Sequence, residues 1–240
     1  METKTQHGYI VLADISGYTA YVAGTELEHS HEILTELLGL ILKQLTPTLT
    51  LSKLEGDAVF AYAPESKFTH GEALLDLIES TYVAFRDRQV SMHHRTTCTC
   101  DACRAIPTLD LKFFTHHGDY IIQQISDRQE LVGTDVNLAH RLMKNHIAES
   151  TGWKGYTLYT QRLLEKVGIP FEGMHPQIES YEHLGEVQTY SINLRERHQK
   201  IAEARHVFLE AKESDYVITQ DFNAPPTLAW DWWNNPLNRT

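Results

Sequence analysis

Cysteine is scarce in this chain, and what there is sits in one place. All three cysteines among the 240 residues fall within Cys98-Thr99-Cys100-Asp101-Ala102-Cys103. An odd, tightly spaced set does not make a disulfide framework, and it fits a reducing compartment. Positive charge is also in deficit: 21 Lys and Arg stand against 32 Asp and Glu, a net charge of −11. With no basic patch to neutralise phosphates, general nucleic-acid binding is not expected. No run is long and apolar enough to cross a bilayer, and no N-terminal stretch has the charged start and apolar core of a signal peptide. The expectation is a soluble, cytoplasmic protein with neither membrane nor nucleic acid as partner. Internal repeats and low-complexity tracts are absent too. What remains is ordinary globular composition, with length for one substantial domain and a piece of something else.

Periodicity supplies the elements. Tyr9 to Ala13 is short and wholly apolar, as a buried central strand would be. From Glu26 to Leu45, apolar residues recur at Ile33, Leu34, Leu37, Leu38, Ile41, Leu42 and Leu45, one face of a long amphipathic helix. Residues 49–54 and 58–63 read as a hairpin around Glu55-Gly56-Asp57. Residues 73–85 have helical spacing, and 91–107 are polar with no clear element. Residues 109–115 and 120–125 read as a strand pair turned at His117-Gly118-Asp119, and 135–147 as a helix entered through Gly133-Thr134. Strand character returns at 156–159 and 181–193. This order predicts an α+β fold with a mostly antiparallel sheet and helices on one face. Residues 1–195 form the expected domain and 196–212 a charged helical linker. Residues 213–240 are an aromatic tail with Ala224-Pro225-Pro226, Trp230, Trp232 and Trp233. That tail either packs back on the domain or opens a second, START-like domain, which its pattern resembles.

Two acidic motifs carry the chemistry. Ala13-Asp14-Ile15-Ser16-Gly17-Tyr18-Thr19 follows the first strand, and Lys53-Leu54-Glu55-Gly56-Asp57-Ala58-Val59-Phe60 holds the second. Taken singly, Asp is common in turns because its side chain bonds nearby amides. Together, two carboxylates on neighbouring strands are what a pair of divalent cations needs, and such a pair serves phosphoryl chemistry. The turn at Gly17, with Tyr18 and Thr19, offers backbone amides to phosphate oxygens. Asn137 and Arg141 are four apart, which sets both on one helix face. Arginine forks onto phosphate, and Asn can donate to a ribose oxygen.

In this order the motifs resemble the catalytic domain of class III nucleotidyl cyclases, the adenylyl and guanylyl cyclase superfamily. Within it they are most similar to a bacterial cyclase-like family of unassigned function. The likeness covers roughly residues 9–194 and rests on four stretches. These are Asp14-Ile15-Ser16-Gly17-Tyr18-Thr19, Gly56-Asp57, Leu111 to Gly118 with its His-x-Gly ending, and Gly133-Thr134-Asp135-Val136-Asn137-x-Ala139-x-Arg141. The resemblance implies a ferredoxin-like βαββαβ core. It implies two Mg²⁺ or Mn²⁺ ions on Asp14 and Asp57, with the Ile15 carbonyl as a further ligand. It gives Arg141 the charge of the α-phosphate and Asn137 the ribose. Lys53 stands where adenylyl cyclases carry a purine-reading Lys, and Glu130 where they carry an Asp, so ATP is favoured over GTP, with another nucleoside triphosphate left open. The product would be 3′,5′-cyclic AMP, with pyrophosphate released. Because metal aspartates and the Asn/Arg pair come from opposite subunits in this superfamily, a homodimer is implied. One departure stands out: Tyr181-Glu182-His183-Leu184-Gly185-Glu186 lacks the phosphate-holding Lys of many members. His183, Lys144 or another cation would have to replace it. The rival reading is a weak or inactive cyclase-like domain that binds nucleotide and regulates.

The cysteines are a separate matter. Cys100-x-x-Cys103 has zinc-ligand spacing, and Cys98 adds a third thiolate. His93, His94, His116 and His117 are the candidates for a fourth ligand, set against the plainer reading of three unligated thiols.

Overall fold

The computed structural model describes residues 4–68, 71–126, 128–205, 223–225 and 228. The chain divides into two units, Met1–Ile201 and Ala202–Thr240. The first unit holds β1 (Gln6–Ser16), α1 (Tyr18–Ala23), α2 (Leu27–Leu45), β2 (Thr50–Glu55), β3 (Ala58–Pro64), α3 (Glu72–Arg95) and α4 (Asp101–Ala105). It continues with β4 (Asp110–Ile125), β5 (Arg128–Val132), α5 (Thr134–Leu142), α6 (Ile147–Thr151), β6 (Tyr156–Thr160), α7 (Gln161–Val167), β7 (His175–Tyr181) and β8 (Gly185–Asn193), and ends within α8 (Leu194–Arg205), whose residues from Ala202 on belong to the second unit. Most of the aromatic tail at 213–240, with its three tryptophans, lies outside the described residues.

The strands form one sheet in the order β2-β3-β1-β4-β6-β8-β7, with β5 paired to the end of β4. Every pairing is antiparallel except β4 with β6. The succession β1-α2-β2-β3-α3-β4, with β1 and β3 in the middle, is the expected ferredoxin-like core. Strand β1 is buried on both faces, which is why its residues are apolar without alternation.

Its two faces serve two cores. Tyr9, Val11, Ala13 and Ile15 pack with Ile33, Leu37 and Ile41 of α2 and Leu74, Ile78 and Phe85 of α3. Ile10 and Leu12 pack with Phe60, Phe114, Val136, Ala139 and Leu142 of α5, and Ile147 of α6. Helices thus cover both faces, where the sequence reading placed them on one. The short apolar spacing of α5, three buried residues in nine, gave no hint of which face it would take.

Two boundaries also differ from expectation. Residues 109–115 and 120–125 are one strand, because β1 starts early enough to pair with β4 from Ser16↔Asp110 to Gln6↔Tyr120. The reversal comes after Ile125, where Ser126 has φ 54°. Residues 91–107 are not featureless, since α3 runs on to Arg95 and α4 follows. At the start of β4 the buried Asp110 accepts from the Tyr82 hydroxyl (2.8 Å) and pairs with Arg195 (2.6 Å), which fastens α3 and α8 to the sheet.

Candidate functional site

Strand pairing brings the two acidic motifs together. Asp14 lies opposite Ala58 in the β1–β3 register, so Asp57, one residue earlier, sits at the same end of the sheet. The Ile15 amide donates to the Asp57 carbonyl (3.3 Å), which closes the junction. Burial, and then the negative charge of Asp57, push the Asp14 carboxyl up to about 6. Burial likewise raises Asp57. Two carboxylates raised by burial in a partly dry corner, one of them also by its neighbour's charge, suit a hard divalent cation, whose charge would offset both effects.

Gly17, at the end of the same strand, has φ 88° and enters α1, and its carbonyl accepts from the Tyr21 amide (2.9 Å). A left-handed conformation there favours glycine over any residue with a side chain. Tyr18 and Thr19 are the first residues of α1, beside the acidic pair in sequence.

Residues missed in sequence surround Asp14. Lys112 is its partner across β1–β4, and its charge pulls the Asp14 carboxyl down against the two raising effects. The Lys112 ammonium sits 5.5 Å from the centre of the Tyr156 ring, and the Tyr156 hydroxyl donates to Asn145 (2.9 Å). Nothing in local sequence pairs Lys112 with Asp14, because the pairing belongs to the register of strands about a hundred residues apart.

The third and fourth motifs turn out to be two halves of one joint. A Cβ on Gly118 of β4 would stand 2.3 Å from an Asp135 carboxylate oxygen, so only glycine admits the start of α5 there. Asp135 accepts from the Asp119 amide (2.6 Å), lies 3.3 Å from His116 Nε2, and pairs with Arg162 (3.1 Å). Burial alone would raise this carboxyl, but His116, the Asp119 amide and Arg162 hold it down at about 2. His116 is fixed in turn by Thr160 (2.9 Å). His117 instead faces Glu65 (2.8 Å).

Locked in this way, α5 buries Val136, Ala139 and Leu142 and turns Asn137 and Arg141 outward. Both are exposed, and the Arg141 guanidinium makes no ion pair or hydrogen bond among the described residues. The charges acting on Asp14 are Asp57 and Lys112, and Arg141 is not among them. Within the chain Asp14 and Asp57 come together at one end of the sheet, while Asn137 and Arg141 stand exposed on α5.

Lys53 and Glu130 make separate contacts among the described residues. The Lys53 ammonium is 2.7 Å from Glu55 and 5.9 Å from the Phe60 ring centre. His140 of α5 joins that cluster, 4.6 Å from the Phe60 ring and 3.4 Å from Glu55. Glu130 lines a groove of about 310 Å³ between β2 and β5 with Thr50, Leu51, Ser52, Tyr62 and Gln129. The groove thus lies one residue from Lys53. In the β7–β8 turn, His183 is an exposed residue with φ 67° next to Glu182 (3.4 Å), and Lys144 is exposed beyond α5.

The cysteine cluster finds its fourth donor in a place sequence spacing did not indicate. Cys98, Cys100, Cys103 and His29 of α2 bring their ligand atoms within 4.8 Å of one another. His93 instead lies 3.4 Å from the Cys103 carbonyl, and His116 and His117 are bound up at the α5 joint and Glu65.

Comparison with known proteins follows the same lines. A family described as protein of unknown function (DUF2652) matches residues 34–151. The uncharacterized protein Rv2561/Rv2562 of Mycobacterium tuberculosis (strain ATCC 25618 / H37Rv) is 30% identical over 180 residues, covering 75% of this chain and 82% of that protein. Among solved structures, the guanylyl cyclase Cya2 superposes with TM-score 0.61 at 17% identity, covering 80% of this chain and 93% of that one. The adenylyl cyclase CyaB from P. aeruginosa gives 0.58 at 17% identity, over 80% and 95%. The guanylate cyclase domain of RhGC from Catenaria anguillulae, in complex with GTP, gives 0.56 at 18%, over 78% and 97%.

Proposed function

Since the chain belongs to the family of the Mycobacterium tuberculosis protein Rv2561/Rv2562 and has the fold of class III cyclase catalytic domains, we propose that it is a homodimeric nucleotidyl cyclase that converts ATP to 3′,5′-cyclic AMP and pyrophosphate. The observation that carries this reading is the convergence of Asp14 and Asp57 at one end of the sheet, with the Asp14 carboxyl raised to about 6 partly by its neighbour.

Asp14 and Asp57, with the Ile15 carbonyl, are the proposed ligands of a Mg²⁺ or Mn²⁺ pair. Bound there, such a pair neutralises triphosphate charge and acidifies the ribose 3′-hydroxyl. The Gly17 turn with Tyr18 and Thr19 lies beside the phosphates. The ribose 3′-hydroxyl loses its proton to solvent, the O3′–Pα bond forms, the bond from Pα to the bridging oxygen of the β-phosphate breaks, and pyrophosphate leaves. Arg141 of the second protomer stabilises the charge on the α-phosphate, and Asn137 beside it orients the ribose. The outward, unpaired position of both on α5 supports their service to a partner. Lys53 and Glu130 read the base at the β2–β5 groove, with Lys53 exchanging its contact with Glu55 for the purine. Lys112, already beside Asp14, is the cation that offsets the missing lysine in the β7–β8 turn.

That missing lysine favours a second reading, a domain that binds nucleotide and regulates without turnover. Purified protein with Mn²⁺ and each nucleoside triphosphate in turn separates the two. Cyclic AMP and pyrophosphate in equal amounts are expected from ATP. Bound nucleotide with no product from any of them would leave the regulatory reading standing.

A further inference from the structure

We infer that His29, Cys98, Cys100 and Cys103 bind one structural zinc ion that clamps the segment between α3 and β4 onto the start of α2. The donor atoms already converge. The His29 Nδ1 atom is 3.1 Å from Cys100 Sγ and 3.6 Å from Cys98 Sγ. All four ligand atoms lie within 4.8 Å of one another. With Zn–S near 2.3 Å and Zn–N near 2.0 Å, ligand atoms on a tetrahedron stand about 3.5–3.8 Å apart, so the site closes with small shifts: the His29–Cys100 pair opens slightly and the wider pairs draw in.

The chemistry of the set selects the ion. Three thiolates and an imidazole are soft to borderline donors, which suit Zn²⁺ and not the hard cations of the acidic site. Four protein ligands fill a tetrahedron and leave no open position for substrate, so the site is structural. The surroundings are arranged for thiolates. The Cys103 amide donates to Cys100 Sγ (3.4 Å), and the Thr96 hydroxyl reaches Cys103 Sγ (3.7 Å). The Cys98 amide in turn holds Thr96 Oγ1 (3.1 Å). Such donors spread the charge of a ligated sulfur and fix its direction.

The clamp has something to hold. Glu26, just ahead of α2, accepts from the amides of Asp101 (3.1 Å) and Ala102 (2.9 Å) at the start of α4. The Ala102 carbonyl accepts from the Tyr21 hydroxyl of α1 (3.0 Å). A Cβ on Gly17 would lie 3.3 Å from the Thr108 carbonyl, just past α4. The segment pinned by the cysteines is therefore the wall against which the Gly17 turn and α1 rest. This puts the clamp behind the acidic site without making it part of that site.

Metal analysis of the 240-residue chain after exhaustive dialysis tests the assignment, and it needs no nucleotide. About one zinc per chain is expected, retained until a chelator competes or thiols are modified. Cys100→Ser and His29→Ala should each drop the content several-fold, while His93→Ala and His94→Ala should leave it unchanged. Cobalt exchanged into the wild-type protein should show thiolate-to-metal charge transfer and the strong visible bands of a tetrahedral site, which keeps the test open if a variant fails to fold. Folded wild-type protein with no zinc, no cobalt–thiolate bands and three freely reactive thiols would overturn the proposal. Full zinc content in His29→Ala would overturn the fourth ligand. Either result would leave the cyclase reading where it stands.

Discussion

Asp14 is the residue on which charge and chemistry meet. Its carboxyl keeps its proton to about 6 in the folded chain, against an ordinary 3.8. Folding therefore takes up a proton between those two values, and the stability of the metal-free protein falls as pH rises across that window. Divalent cations compete with the same proton. Mn²⁺ affinity and Mn²⁺-dependent turnover should drop as pH is lowered through about 6, measured by calorimetry and by product formation over a pH series. Asp14→Asn should remove both effects, abolishing metal-dependent turnover while raising metal-free stability at pH 8 by about 3 kcal/mol. Denaturant midpoints for the two proteins, with m-values unchanged, provide the comparison. A variant that is less stable, or that still turns over, would contradict the metal role. Arg141→Ala should cost about 100- to 1000-fold in kcat, about 3–4 kcal/mol of barrier, with little change in melting temperature because the side chain is exposed.

At the scale of elements, the decisive feature is how α5 is fastened. Asp135 sits on Gly118 and gathers the Asp119 amide, His116 and Arg162. Gly118→Ala would force this joint open, because its Cβ meets the Asp135 carboxylate at 2.3 Å. The expected outcome is a loss of about 1–3 kcal/mol in stability, read by denaturant melts, together with a fall in kcat larger than any rise in the KM for ATP. A change in KM alone would mean that α5 does not carry the reacting groups. Sequence reasoning named Asn137 and Arg141 from their spacing of four, and their common helix face follows from that spacing alone. It read residues 109–115 as a strand turned at His117-Gly118-Asp119, and so it missed that His116 and Gly118 are the seat of the helix. The reason is physical: glycine marks a turn or a close approach equally well, and only the packed partner tells which.

At the scale of the whole molecule, one protomer holds half of each proposed site. The acidic pair is assembled within the chain, while Asn137 and Arg141 stand exposed on α5, and the proposal has them complete the site of a second copy. A mixture of Asp57→Asn and Arg141→Ala proteins, each inactive alone, should recover activity on subunit exchange. If the two proteins are present equally and mix freely, half the dimers carry one intact site of two, which gives about one quarter of wild-type activity. Absence of recovery, with exchange verified by a tag, would mean that each protomer completes its own site.

What the residues determined by themselves was local and periodic. Apolar spacing gave strands and long helices, the family resemblance arranged them as a βαββαβ core, and the residue types at Asp14, Asp57, Asn137 and Arg141 suggested the proposed chemistry. Among the described residues no helix is long and apolar enough to cross a membrane, as the same spacing predicts. Tertiary structure decided what depends on register and on faces. It set Lys112 against Asp14, placed α5 on the second face of the sheet, and brought His29 to cysteines some seventy positions away. Side-chain chemistry and helical period are carried by neighbours in the chain, whereas strand pairing and helix docking minimise exposed apolar area over the whole fold. No window of sequence contains that sum.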